Sequence, residues 1–591
     1  LTANRARITS QTVQVALKAN ARMGFEMVRN GDNGGPLLTE LRRIVGRRHV
    51  LAGAATRKFA KGYRYGHGVA VAVVRPGSLV EAWRVLRACV NANAIVIMQA
   101  ANTGLTGGST PRDDGYDRPA VIVSTMRLKG IHLVDDARQA ICLPGSTLHE
   151  LERALAPAAR EPHSVIGSSC IGASVIGGIC NNSGGALLRR GPAYTEMALY
   201  ARVDENGSLE LVNRLGLDLG DEPEDILRRV EAGALGASDL ATGATLVASS
   251  PGYEQKLREI GADTPARFNA DPGNLHGASG SAGRVAVFAV RVDTFPAETE
   301  ALTFYLGANH PDSFARLRRD ILSSFANLPI SGEYIHRDAF DLADLCGKDT
   351  FLAIRVLGTE HLPALFAAKA KVDGAAMRLG LGKLNLADRV LQLAARLAPD
   401  HLPARMRAFR DGFEHHLVIK VAGEGVAEMR AYLAQWRDGP ERDFFECSDD
   451  EARAAFLHRF AVAGAANRRL ALDRGGSLLA VDVALPRNTD TWFERLPADL
   501  DRRIAAKVYY GHFFCHVFHQ DYLIAPGEDA DAVEREILAT LDARNARYPA
   551  EHNVGHHYHA APELVAFYRD LDPGNRFNPG IGRTPSGTNW T

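Results

Sequence analysis

Seven of the chain's twenty histidines fall between His512 and His559, in two tight clusters. The first reads Gly511-His-Phe-Phe-Cys-His-Val-Phe-His519, the second Glu551-His-Asn-Val-Gly-His-His-Tyr-His559. A carboxylate beside two neutral imidazoles suits zinc or manganese. An imidazole also titrates near neutrality, which suits a base that takes a proton from a hydroxyl group. The alternative is structural, and about half of the seven are expected to be packing residues. On an unbroken strand the odd offset between His512 and His519 would put them on opposite faces. A bulge or bend is needed if both are to meet one ligand.

The amino-terminal half carries the elements that must position such groups. Leu38, Leu41, Ile44 and Val45 recur at helical spacing before Gly46. Ala70 to Val74 is an apolar run of strand length, and Ser78 can cap an amphipathic helix reaching Cys89. A second strand, Ala94 to Met98, leads into the loop Gln99-Ala-Ala-Asn-Thr-Gly-Leu-Thr-Gly-Gly-Ser-Thr-Pro111, and a third spans Ala120 to Ser124. This is an α/β unit. Small residues let backbone N–H groups close around an anion, and a pyrophosphate is the natural guest; a tight surface turn is the alternative. A second segment, Gly167 to Gly185, is almost free of large polar side chains yet holds Ser168, Ser169, Ser174, Asn181, Asn182 and Ser183. Core helices do not keep this many glycines, each costing about 1 kcal/mol against alanine. A flat ligand lying along the backbone explains the composition better. Neither a Rossmann fingerprint nor a P-loop is present.

Taken in order, Val74-Arg-Pro-Gly-Ser78, Asn102 to Pro111, Pro144-Gly145 and Ile176-Gly-Gly-Ile-Cys-Asn-Asn-Ser-Gly-Gly185 resemble the FAD domain of the vanillyl-alcohol-oxidase superfamily. Arg160-Glu-Pro-His-Ser-Val-Ile-Gly-Ser-Ser-Cys-Ile-Gly-Ala-Ser174 and the carboxyl end resemble the bacterial respiratory quinone-dependent D-lactate dehydrogenases, from about Leu38 to Trp590. The resemblance implies FAD contacts at Ala100, Ala101, Asn102, Thr103, Gly104, Gly108, Ser109, Gly167, Ser174, Gly184 and Val287. The Gln99–Pro111 loop has no histidine, so non-covalent FAD is expected. Related flavin-linked 2-hydroxy-acid dehydrogenases carry G-H-x-G-D-G-N-x-H and a later Glu-His pair before glycine. Matched to these, His512, His519 and Glu551 are implied as metal or substrate ligands and His552 as the base. The glycines of the first pattern are replaced by Phe514-Cys515-His516-Val517. Arg459 is the candidate for the substrate carboxylate, by a looser resemblance to an arginine-bearing helix, with His336-Arg337 a second choice. A lysine of those relatives has no counterpart between Leu479 and Pro486.

The chain has 591 residues, enough for two or three domains, and Lys+Arg balance Asp+Glu at 69 each. Global charge gives no reason to expect a nucleic-acid partner. The seven scattered cysteines contain no C-x-x-C pair and read as reduced thiols of a cytoplasmic compartment. No apolar stretch reaches the length of a spanning helix, so membrane attachment is expected to be peripheral. Between Lys369 and Arg410 stand nine basic residues against three acidic ones, interleaved with leucines such as Leu379, Leu386 and Leu393. That suits an anionic phospholipid surface, and the resemblance implies the cytoplasmic side of the bacterial inner membrane.

The expected architecture is a multi-domain α/β and α+β chain. It comprises an extension (1–37), a vanillyl-alcohol-oxidase-type FAD-binding domain (38–293), an α+β cap (294–547) with a basic insertion at about 336–412, and a closing FAD-domain segment (548–591). The implied activity is oxidation of D-lactate to pyruvate with electrons passed to a membrane quinone. The alternatives are another D-2-hydroxy acid, such as D-2-hydroxyglutarate, with a soluble acceptor, and a non-catalytic lipid-surface protein that keeps the fold.

Overall fold

The structure, a computed structural model, describes residues 35–112, 116–164, 172–236, 239, 245–358, 362–380, 385–439, 441–473 and 476–591. Most of the extension and Gly167 lie outside the described residues.

Helix α1 (Pro36–Val45) starts on a proline, buries Leu41 and Val45, and ends at Gly46, whose φ of +81° a side chain would resist. Strands β1 (Val50–Leu51), β2 (Ala72–Val74), β3 (Ile95–Gln99) and β4 (Ala120–Ser124) form a sheet in the order β1-β2-β4-β3, with β2 and β3 both parallel to β4. Between β2 and β3 runs α2 (Leu79–Asn91), capped as its sequence suggests: Ser78 accepts the Glu81 N–H. The exposed edge of β3 is covered by the carboxyl-terminal segment, where Val96 donates to Arg576 O and accepts from Asn578 N. Phe577 thereby enters the core with Val74, Leu86, Val123 and Phe288.

A second, antiparallel sheet contains β5 (Ile131–Val134), β6 (Gln139–Cys142), β7 (Arg160–Pro162), β8 (Ala198–Val203), β9 (Leu209–Asn213) and the long β10 (Ala286–Pro296), to which β6, β7 and β8 all pair. The short helix α3 (Val175–Cys180) lies in the small-residue segment.

The remaining strands are β11 (Leu302–Ala308), β12 (Ser331–His336), β13 (His415–Val421), β14 (Arg442–Glu446), β15 (Ser477–Ala484), β16 (Ile504–His512) and β17 (Val517–Ile524). They make one antiparallel sheet in the order β14-β11-β13-β12-β16-β17-β15. Both faces are covered: Phe304, Leu306, Leu417 and Ile419 belong to one core, Tyr305, Ile335, Val418 and Tyr510 to the other. The second face carries helices α4 (Arg337–Cys346), α5 (Lys348–Leu357), α6 (Leu362–Arg378), α7 (Leu386–Leu397) and α8 (Asp449–Leu472). A capping box of Ser448 and Glu451 starts α8.

The core under α4 and α8 hides three histidines, and burial lowers each: His401 to about 4, His416 and His458 to about 3. All three fold as neutral rings, whereas an unfolded chain protonates them near pH 6.5. Their neutral burial costs nothing above that pH. As pH falls from 6.5 towards 4 the unfolded state gains protons that the folded state refuses, so stability drops. Each ring contributes up to about 1.4 kcal/mol per pH unit. Urea unfolding of the cap should therefore shift to clearly lower urea at pH 5 than at pH 7, and equal midpoints would contradict this.

Candidate active site

The small-residue loop after β3 is held in shape by its own side chains. Gln99 Nε2 donates to Phe59 O (2.8 Å) and Ser109 O (2.7 Å), pinning the two ends of the loop together. Asn102, with φ +55°, donates to Lys61 O (2.9 Å) and accepts from Ser109 Oγ (2.9 Å). Gly104 faces open space. Opposite it, Ser174 caps α3 by accepting the Gly177 N–H at 3.0 Å. Asn553 bridges the two: its Nδ2 donates to Asn181 Oδ1 (2.8 Å) and its carbonyl accepts from Thr106 Oγ1 (2.6 Å). The peptide beside the second histidine cluster is thus stapled to both loops.

The histidines converge by a reversal of the chain. His512 ends β16 and His519 lies in β17, joined by a turn at Phe513 to His516, where His516 itself takes the positive φ of +54° that a glycine would otherwise supply. The register pairs His519 with Tyr510, so His512 and His519 are diagonal neighbours on one face, ring centroids 5.6 Å apart. The same face takes Glu333 from β12, paired with His512, and Asp482 from β15, paired with His519. His512 Nδ1 meets Glu333 Oε1 at 2.7 Å, and its Nε2 lies 3.3 Å from Glu551 Oε1. His519 Nε2 is 3.7 Å from Glu551 Oε2. One ligand atom from each of His512, His519 and Glu551 lies within 4.8 Å of the others.

Two arginines balance this cluster. Arg267 Nη2 donates to Glu551 Oε1 at 2.6 Å in a buried pair. Arg459, from α8, binds Glu333 Oε2 at 2.8 Å and lies 4.8 Å over the Tyr510 ring, while its Nε is buried without a partner. His552 Nδ1 sits 3.0 Å from Asp482 Oδ2, which also accepts the Glu551 N–H at 2.6 Å. Burial disfavours the His552 imidazolium, but the Asp482 carboxylate outweighs it and the net shift is upward. Burial also opposes charge on His512, yet Glu333 and Glu551 raise it to about 10. His519 goes the other way, lowered by burial to about 3, and stays a neutral ring.

Loops and polar cluster line one cavity of about 1200 Å³. Residues 70–210 match the family described as FAD binding domain, and residues 303–590 that described as D-lactate dehydrogenase, membrane binding. The chain is 51% identical to the quinone-dependent D-lactate dehydrogenase of Escherichia coli (strain K12), over 94% of this chain and 97% of the relative. It is 52% identical to that of Haemophilus influenzae, over 94% and 99%. The chain belongs to the quinone-dependent D-lactate dehydrogenase family. Among solved structures, alkyldihydroxyacetonephosphate synthase superposes with a TM-score of 0.56 at 12% identity, covering 93% of this chain and 85% of that one. p-Cresol methylhydroxylase gives 0.55 at 12%, covering 93% and 96%; at such identities the likeness is one of fold.

Every described residue that the family resemblance implied lines this cavity: Ala100, Ala101, Asn102, Thr103, Gly104, Gly108, Ser109, Ser174, Gly184 and Val287, and with them Arg459, His512, His519, Glu551 and His552. His336 and Arg337 do not; His336 caps α4 and Arg337 pairs with Glu414. Sequence reading missed Glu333, Asp482, Arg267 and Arg64, whose Nε is also buried without a partner on the cavity wall. One signal was present: Asp482 is the acidic residue in the otherwise apolar run Leu478 to Leu485. The cradle suits FAD, since its wall between the strands is backbone and small side chains, with room at Gly104 and volume for a dinucleotide and a small acid.

Proposed function

We propose that this chain oxidises D-lactate to pyruvate and passes the electrons, through FAD, to a membrane quinone. The observation that carries this reading is the meeting, in one cavity, of a small-residue cradle with a base, its orienting carboxylate and unpartnered guanidinium nitrogens. FAD, when bound, supplies the acceptor for the electron pair that leaves C2. The protein's part is orientation and proton handling. Arg459 holds the substrate carboxylate through its free Nε, and Arg64 is placed to add a second donor. His552 takes the hydroxyl proton, and Asp482 fixes the ring and stabilises the imidazolium that forms. Ala100, Ala101, Asn102, Thr103, Gly104, Gly108, Ser109, Ser174, Gly184 and Val287 are the proposed FAD contacts.

A divalent metal fits as a third component. His512, His519 and Glu551 would be its ligands, two imidazoles and a carboxylate. Glu333, accepting from His512 Nδ1, would then orient the first ring. The metal's contribution would be to hold and polarise the hydroxyl oxygen.

For docking, an anionic phospholipid surface on the cytoplasmic side is the proposed partner. The basic run is less electropositive in three dimensions than along the chain: Arg405, Arg407 and Arg410 pair with Glu451, Asp344 and Asp341 from outside it. Lys371, Arg378 and Arg396 remain exposed, beside Val372, Met377, Leu379, Leu393 and Leu397. Among the described residues no helix is long and apolar enough to cross a membrane. One vesicle assay tests substrate and surface together. In anionic vesicles carrying quinone, D-lactate should drive quinone reduction with pyruvate formed one for one, and L-lactate should not. High salt should weaken binding without abolishing it, because the apolar face persists. Equal turnover of both isomers, or equal binding to neutral and anionic vesicles, would contradict the respective halves.

A further inference from the structure

Helix α7 is folded inside out. Leu386, Val390, Leu393 and Leu397 follow helical spacing and form its exposed face, Leu397 at 81% and Val390 at 65%. Its buried face carries Asp388 and Gln392 instead. Asp388 meets Lys369 of α6 and Arg468 of α8, each at 2.8–3.0 Å, and Gln392 donates to Leu345 O at 2.7 Å. Val356 of α5 and Met377 and Leu379 at the end of α6 are exposed as well. In water this arrangement leaves apolar area uncovered; against lipid it is the expected one.

The active-site cavity does not stop at Arg459. It continues along one face of α8, past Phe456, Phe460, Gly464 and Asn467, to Arg468 and Asp388 in the polar cluster behind α7. Nine helical steps separate Arg459 from Arg468, about 13 Å along the axis. At the far end Arg468 is nine-tenths buried, with Nε on Asp388 and Nη2 on Asp349, both at 2.8 Å. Its Nη1 has no partner, and the residue lines the cavity. A buried guanidinium N–H without an acceptor is costly unless a ligand supplies one.

We propose that the lipid-soluble quinone enters and leaves through this passage, between α8 and the layer formed by α5, α6 and the inside-out α7. The inference rests on the functional reading above and adds the place of its second substrate. A quinone matches both linings: an apolar tail for the leucine-rich lip and a carbonyl acceptor for Arg468 Nη1 at the entrance. The traffic is neutral in both directions. Lactate gives up two electrons and two protons on becoming pyruvate, and the quinone takes up two of each on becoming quinol, so no ion need cross the cluster.

Gly464 offers a clean test, because a Cβ there meets nothing within 4 Å. Gly464→Leu should obstruct the passage without disturbing the packing of α8, and Gly464→Ala serves as the small control. In stopped flow, D-lactate should reduce the bound flavin of both variants at the wild-type rate. Reoxidation of the reduced enzyme by ubiquinone-1 should slow about tenfold or more in Gly464→Leu and stay near wild type in Gly464→Ala. Unchanged reoxidation in Gly464→Leu would overturn the proposal. Failure of D-lactate to reduce even the wild-type flavin would instead overturn the functional reading. Should the leucine variant not fold, photolabelling of the wild-type holoenzyme with an azido-quinone decides: label on residues 456–468 supports the passage, and label confined elsewhere rejects it.

Discussion

Replacing His552 by glutamine should lower kcat for D-lactate by about 10²- to 10⁴-fold, the span expected when a positioned general base is removed. The cause is geometric. His552 Nδ1 is engaged by Asp482 at 3.0 Å, which leaves the opposite ring nitrogen for the substrate hydroxyl, and His552 lines the cavity. No other histidine of the cluster can take its place. His512 has both ring nitrogens engaged, Nδ1 by Glu333 and Nε2 by Glu551, and His519 is pushed so low by burial that it is a feeble base. Because His552 does not pin the cradle, the flavin spectrum of the variant should match wild type. A His552→Gln enzyme with unaltered kcat would remove the residue from the mechanism.

The largest stability effect is expected at Arg267. Its guanidinium is buried and donates to Glu551 at 2.6 Å, so Arg267→Met strips a buried carboxylate of its closest cation. Breaking a buried pair from one side costs about 3–5 kcal/mol, mostly the penalty of the charge left behind. His512 offers partial compensation to Glu551, which points to the lower end of that range. Adding Glu551→Gln should therefore return part of the loss, since a neutral amide no longer demands a cation. The check is a double-mutant cycle in urea; additive losses would show that the two residues do not act as a pair.

Much of the cradle is readable in the sequence because its chemistry is local. The strand–loop segments around Asn102 and Ser174 declare themselves by small residues packed where a helix or strand would not keep them. The polar site is another matter. Glu333 and His512 are 179 positions apart and Arg267 and Glu551 284, and only the strand register and chain crossing bring them together. Histidine spacing pointed to His512 and His519 and to a bulge or bend between them; the bend is a hairpin turn that sets the two on adjacent strands. The run between Lys369 and Arg410 is legible only in part: its interleaved leucines suggest a lipid-facing surface, and Leu379, Leu386, Leu393 and Leu397 do face outward, but Arg405, Arg407 and Arg410 find acids in distant elements that spacing does not reveal.

The most direct test of the central claim is the visible spectrum of the purified, anaerobic holoenzyme under titration with each lactate isomer. The expected result is a bound-flavin spectrum that D-lactate bleaches at one equivalent per flavin, with pyruvate formed in the same amount, and that L-lactate leaves unchanged. A flavin that D-lactate does not bleach would contradict it.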